Sequence, residues 1–122
     1  VDNLEVENLK ESGVTVFSTE DVRKEGADVI TRKAFEIASK GTNGVHVSYD
    51  IDLIDPKIAP GVSIPAVDGI NLEEAYMMVQ TVIKKKDLVK SIDIVEYNPE
   101  LDKDNKTKII ASTILNKFLN NF

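Results

Sequence analysis

The sequence contains no cysteine, which excludes disulfides, thiolate catalysis and thiolate metal sites. It also lacks any apolar run approaching the ~18 residues of a membrane span, so we expect no membrane partner. Its first residues, Val1 to Glu5, have neither the basic region nor the apolar stretch of a signal peptide. We therefore expect a cytoplasmic protein.

The sequence has few basic residues relative to acidic ones. It contains 15 Lys and Arg against 21 Asp and Glu, and its formal net charge is -6. Phosphate neutralisation needs clustered Lys and Arg, so this balance argues against a nucleic-acid partner. The basic run Lys84-Lys85-Lys86 is typical of the C-terminal end of a helix, where cations suit the helix dipole. A content of 42% hydrophobic and 30% charged residues indicates an ordinary globular domain with one core.

The first forty residues predict a helix, a strand and a second helix. Residues 3–12 place apolar side chains at helical spacing. The β-branched and aromatic run at residues 14–17 is typical of a strand. A capping-box pattern begins at Ser18, and the helix that follows could continue to Ala38, although Gly26 weakens it by ~1 kcal/mol relative to Ala.

Two more strand and helix pairs follow. Residues 45–51 and 91–97 read as strands, the first of the apolar kind that parallel sheets bury. Between them lie a loop of about twenty residues, of a length that is usually functional, and a helix capped by Asn71. The last helix carries an apolar face from Ile109 to Leu119. This order predicts an α/β fold with a parallel sheet and right-handed crossovers.

Acidic side chains follow the predicted strands at the ends where parallel sheets bind ligands. Asp50 and Asp52 are two residues apart, so on a strand they would share a face roughly 6 to 7 Å apart at the backbone. Two such charges repel unless a cation neutralises them, and oxygen ligands suit magnesium, calcium and manganese. The alternative is that the pair only closes the strand and caps the next turn.

Two motifs connect these carboxylates with a known family. The first is Ser48-Tyr49-Asp50-Ile51-Asp52 followed by Pro56, Pro60-Gly61 and Gly69, and the second is Glu96-Tyr97-Asn98-Pro99. Together they resemble the signatures of the ureohydrolases, the family of arginases, agmatinases and formimidoylglutamases. Asn98 favours the arginase branch, because agmatinases more often place Ser before the Pro. The resemblance implies a three-layer α-β-α fold with a parallel sheet.

The resemblance also implies a chemistry. Asp50 matches the aspartate that bridges two Mn²⁺ ions, Asp52 matches one that binds a single ion, and Glu96 matches the carboxylate that holds the guanidinium group of a small-molecule substrate. In the family, a hydroxide shared by the two metals attacks the guanidinium carbon, and arginase converts L-arginine to L-ornithine and urea. A homo-oligomer, trimer or hexamer, is likewise implied.

The sequence departs from the family in its histidines. Ureohydrolases use two histidine ligands, two further aspartates and usually a histidine proton shuttle, whereas this chain has only His46. Along a strand His46 lies roughly 13 Å from Asp50, so we expect a buried or edge histidine with a hydrogen-bond partner. We therefore assign no catalytic residue, interpret residues 1–122 as the C-terminal part of a ureohydrolase domain, and expect weak metal binding and no catalysis from this chain alone.

Three alternatives remain open at this point. The same chemistry could act on agmatine, formimidoylglutamate or another guanidino acid. The chain could also be a non-catalytic scaffold, although the presence of Asp50, Asp52 and Glu96 together argues against it. A receiver-like or nucleotide-binding domain is disfavoured, because no Gly-rich phosphate loop follows the first predicted strand.

Finally, a sheet with only about three strands would leave an open edge, through which we expect self-association.

Overall fold

Helices and strands alternate along most of the chain in the computed structural model, which describes residues 3–122. The predicted helix of residues 3–12, the capped helix at Asn71 and the C-terminal helix are all present, and the basic run closes the second of these. The elements are α1 (Asn3–Ser12), α2 (Thr19–Glu25), α3 (Ala27–Ser39), β1 (Val45–Asp50), α4 (Leu72–Lys84), β2 (Val89–Val95) and α5 (Lys106–Asn121), with 3-10 turns at Ile51–Leu53, Lys86–Leu88 and Pro99–Leu101.

The two strands form a parallel sheet, which confirms the predicted α/β class. From His46 opposite Ser91 the register runs without interruption to Asp50 opposite Val95. One face of β1 is polar and exposed, whereas the side chains of the other face pack toward the core. The C-terminal ends of both strands therefore lie side by side, and the loops that follow them are neighbours.

The core lies between the sheet and the helices. Tyr49 of β1 is buried there, and its hydroxyl donates to the carbonyl of Ala75 in α4 at 2.9 Å. Burial, with a smaller effect of Tyr76, raises the pKa of Tyr49 well above its ordinary value. The largest fully buried side chains come from the loop after β1 and from α4 and α5: Ile51, Ile54, Val79, Thr107 and Ile114.

The predicted strand at residues 14–17 is wrong for this chain. These residues have no regular secondary structure and pair with no strand among the described residues, and Val14 and Val16 are 59% and 57% exposed. A strand needs a ladder partner for its N–H and C=O groups, and none of the described residues provides one here. The expected three strands are therefore two.

The predicted long helix from Ser18 to Ala38 is also corrected. It is two helices, because Gly26 between α2 and α3 has φ 98° and ψ 143°, outside the helical region. The capping box at Ser18 is present, with the Asp21 carboxylate accepting from the Ser18 N–H at 2.8 Å. Local capping was thus predictable, whereas the break depended on a glycine that can adopt positive φ.

The long loop between β1 and α4 is fixed at its base. The N–H of Asp55 donates to the carbonyl of Ile70, and the N–H of Ile70 donates to the carbonyl of Leu53. Arg23 of α2 donates from its two terminal guanidinium nitrogens to the carboxylate of Asp68, at 2.9 and 3.1 Å. Within residues 3–122 no helix is long and apolar enough to cross a membrane.

Candidate functional site

The predicted site residues lie at the C-terminal end of the sheet. Asp50 is the last residue of β1 and pairs with Val95, the last residue of β2, so Glu96 directly follows that pair. Asp52 lies in the 3-10 turn Ile51–Leu53 and not on the strand, which corrects the strand geometry expected for the two aspartates. The turn folds Asp52 back into a half-buried position beside the strand ends.

Electrostatics connect the three carboxylates. The pKa of Asp52 is raised, first by burial and then by the negative charges of Asp50 and Glu96. Asp52 is therefore close enough to both Asp50 and Glu96 to be repelled by each of them. A bound cation would relieve this repulsion, and carboxylate oxygens suit manganese.

The ligand set for a metal is incomplete in this part of the chain. Among the described residues, no group of three or more His, Cys, Asp and Glu side chains is arranged to hold a metal ion. Asp50 and Asp52 offer oxygen ligands of the right chemistry, but they provide no imidazole. They fit as part of a manganese site and not as a whole one.

His46 lies away from these carboxylates, on the exposed polar face of the sheet. Its Nδ1 is 2.6 Å from the Ser91 hydroxyl, and its Nε2 is 3.3 Å from the carboxylate of Asp93. This confirms an edge histidine with a hydrogen-bond partner. Ser48, on the same face, donates to Asp93 at 2.6 Å and lies 3.5 Å from Asp50.

This polar row of His46, Ser48, Ser91 and Asp93 was not predicted from the sequence. The signal was the alternation of polar and apolar residues along both strands, which shows which side chains share a face. Their partners could not be identified, because register between two strands separated by some forty residues is not encoded locally. The row leads along the sheet to Asp50.

A second unpredicted group of contacts joins the two loops that follow the strands. The N–H of Asn98 donates to the carbonyl of Gly61 at 2.7 Å, and the N–H of Gly61 donates to the hydroxyl of Thr107 at 2.7 Å. Gly61 is buried, and a Cβ at this position would lie 2.8 Å from Cβ of Asp102. Packing therefore explains the glycine of the pattern Pro60-Gly61, since only glycine fits against the start of α5.

The sequence model of the Arginase family matches residues 1–120. The chain belongs to the arginase family. An arginase from Brevibacillus brevis is 35% identical over 115 residues, which cover 94% of this chain and 38% of that protein.

Solved arginases share the fold of this family member. The native structure of arginase from Bacillus caldovelox at pH 5.6 superposes with a TM-score of 0.89 at 27% identity, covering 99% of this chain and 40% of the other. The structure of Entamoeba histolytica arginase in complex with L-ornithine gives a TM-score of 0.84 at 27% identity, covering 95% of this chain and 39% of the other. The arginase-family chain therefore spans about two-fifths of the length of these relatives, and its α/β architecture is part of the arginase fold.

Proposed function

We propose that this chain is the C-terminal part of a manganese-dependent arginase that hydrolyses L-arginine to L-ornithine and urea. One observation carries the proposal: Asp50 and Glu96 lie at the ends of neighbouring parallel strands, where each motif of the family has its carboxylates, and the negative charges of both act on Asp52. The arginases among its relatives, one of them in complex with L-ornithine, support this substrate. Asn98 in the second motif favours arginine over agmatine.

The three carboxylates have different roles in this proposal. Asp50 would bridge two Mn²⁺ ions and Asp52 would bind one of them, so both would lose the repulsion that now raises the pKa of Asp52. When bound there, Mn²⁺ would make hydroxide available near neutral pH by lowering the pKa of water. Glu96 would accept hydrogen bonds from the guanidinium group and hold its carbon toward the metals, because charge-assisted pairs fix orientation.

The 122-residue chain by itself should be inactive. Asp50 and Asp52 would contribute two carboxylate ligands without an imidazole, so manganese should bind weakly. The remaining ligands would come from the rest of a ureohydrolase domain.

The test is urea release with Mn²⁺ present, from L-arginine, agmatine and formimidoylglutamate. It should be run in parallel on this chain and on the full-length protein that contains it. We expect activity of the full-length protein on L-arginine and none from the 122-residue chain. Turnover of agmatine or formimidoylglutamate instead of L-arginine would show that the proposed substrate is wrong and that the proposed type of hydrolysis is right. Turnover by the short chain would overturn the incomplete-site argument.

A non-catalytic scaffold is the competing function of a different class. It predicts that the full-length protein releases no urea from any guanidino substrate and binds no manganese. Equilibrium dialysis against Mn²⁺ separates the two hypotheses, because only the catalytic one requires Asp50 and Asp52 to bind metal.

A further inference from the structure

Glu96 has an unusual backbone conformation. Its φ of 68° lies in the left-handed region, where Cβ of an L-residue crowds the following carbonyl oxygen. The other described non-glycine residues with positive φ are aspartates or asparagines, whose short polar side chains tolerate it: Asp68, Asp104 and Asn105. Such strain in a glutamate persists only where surrounding contacts enforce it, and it concentrates at functional sites.

The contacts that enforce it lie on both sides of Glu96. On the N-terminal side, Val95 is held in register opposite Asp50. On the C-terminal side, Asn98 is bound to the neighbouring loop, with its N–H on the carbonyl of Gly61 at 2.7 Å and its Nδ2 on the Ser63 hydroxyl at 3.0 Å. The chain must change direction between these two fixed points, and the positive φ of Glu96 provides that change of direction.

Asn98 is well suited to be the second fixed point. Its side-chain oxygen accepts from the N–H of Glu100 at 3.1 Å, and its carbonyl accepts from the N–H of Leu101 at 3.2 Å. Both amide groups and both oxygens of Asn98 therefore have partners. Gly61, which anchors Asn98, is itself buried, and its N–H donates to the hydroxyl of the fully buried Thr107.

We propose that Asn98 is a positioning residue, which locks Glu96 in the left-handed conformation and so aims its carboxylate at the site formed with Asp50 and Asp52. Asn98 itself touches no reacting atom. The consequence for substrate binding rests on the proposed function, whereas the backbone lock does not depend on it.

The lock is tested on this chain by NMR and by unfolding. A residue with positive φ gives a strong intraresidue NOE between its amide and α protons, and Asn98→Ala should weaken that NOE at residue 96. In a denaturation cycle, the folding equilibrium constant of Glu96→Gly should exceed that of Glu96→Ala by about fivefold to tenfold. When Asn98→Ala is added to both, this ratio should fall, because the variant removes the side-chain contacts with Ser63 and Glu100 and leaves only backbone bonds, including that to Gly61.

The matched control is Asn71→Ala. Asn71 also caps a helix with its side chain, accepting from the N–H of Glu74 at 2.8 Å, so its loss costs a similar contact elsewhere. Asn71→Ala should lower the stability of the chain. It should change neither the NOE of residue 96 nor the ratio of the folding equilibrium constants of Glu96→Gly and Glu96→Ala. If Asn98→Ala leaves both readouts unchanged, or Asn71→Ala changes them equally, the positioning role is overturned.

Kinetics of the full-length protein separate this inference from the function on which its consequence rests. Asn98→Ala should raise KM for L-arginine about tenfold, with a smaller change in kcat, because a misaimed Glu96 weakens substrate binding. If the NOE weakens and KM does not change, the lock stands and the proposed contact between Glu96 and the guanidinium group fails.

Discussion

At the scale of single residues, Asp52 carries an unfavourable negative charge in the candidate site. Burial, then Asp50, then Glu96 raise its pKa above the ordinary value of 3.8. A carboxyl with a raised folded-state pKa prefers its proton in the fold. The protonated Asp52 carboxyl therefore contributes its full stabilisation to the fold at pH values below the unfolded-state pKa. That stabilisation is lost as pH rises through the folded-state pKa and the carboxyl becomes charged.

Removal of this charge should therefore stabilise the metal-free chain at neutral pH. We expect Asp52→Asn to raise the urea midpoint at pH 7 and to have little effect near pH 3, where the carboxyl is already protonated. The matched control is Asp87→Asn, which removes the same charge from an exposed 3-10 turn. An equal gain from both variants would show that net charge, and not the site, is responsible.

Thr107 is the residue through which the loop after β1 is held to α5. Its hydroxyl is fully buried and accepts from the buried N–H of Gly61 at 2.7 Å. Thr107→Val keeps the shape but leaves that N–H without a partner, at a cost of about 1 to 3 kcal/mol in the free energy of unfolding. Chemical denaturation measures this cost.

The control for Thr107 is Thr113→Val in the same helix. The Thr113 hydroxyl donates to the carbonyl of Ile109 one turn earlier, a carbonyl that the helix ladder also satisfies. It should therefore change stability by less than about 0.5 kcal/mol. A similar loss at both positions would contradict the role assigned to Thr107.

At the scale of elements, the sequence predicted what is determined locally. The capping boxes at Ser18 and Asn71 and the strand leading to Asp50 are encoded within a few residues, and all are present. The β-branched and aromatic run at residues 14–17 was wrongly predicted as a strand, because a strand depends on a partner distant in sequence. The contact between Gly61 and Thr107 spans 46 residues, so no local pattern could reveal it.

The break between α2 and α3 gives a prediction at this scale. Gly26→Ala should lower the free energy of unfolding by about 1 to 3 kcal/mol, because alanine is strained at φ 98° and its Cβ would lie 3.1 Å from the Asp28 carboxylate. Lys24→Ala, at an exposed helical position of α2, should have little effect. Thermal unfolding followed by circular dichroism compares them, and a stabilised Gly26→Ala would mean that the two helices can merge into one.

At the scale of the whole molecule, the two-stranded sheet leaves one edge of each strand unpaired among the described residues. Beside β2, an open apolar groove of about 720 Å³ runs between the strand and α5. Leu115, Leu119 and Phe122 line it and are 47%, 68% and 52% exposed. Open edges and apolar surface of this kind favour association.

The isolated 122-residue chain should accordingly self-associate with rising concentration. Leu119→Lys should shift light-scattering masses toward the monomer, because it puts a charge in the groove. Ile109→Lys is the matched control, since Ile109 is 61% exposed on the same helix but does not line the groove. If neither or both variants reduce association, the groove is not the contact.

The central claim is that the carboxylates after the two strands form part of an arginase site. The most direct measurement is kcat/KM for L-arginine in the full-length protein, with Mn²⁺ present, for Glu96→Gln and for the nearby exposed Glu100→Gln. Loss of one charge-assisted contact to the guanidinium group should lower kcat/KM for Glu96→Gln by roughly 10- to 100-fold, while Glu100→Gln stays near the parent. An unchanged kcat/KM for Glu96→Gln would contradict the account.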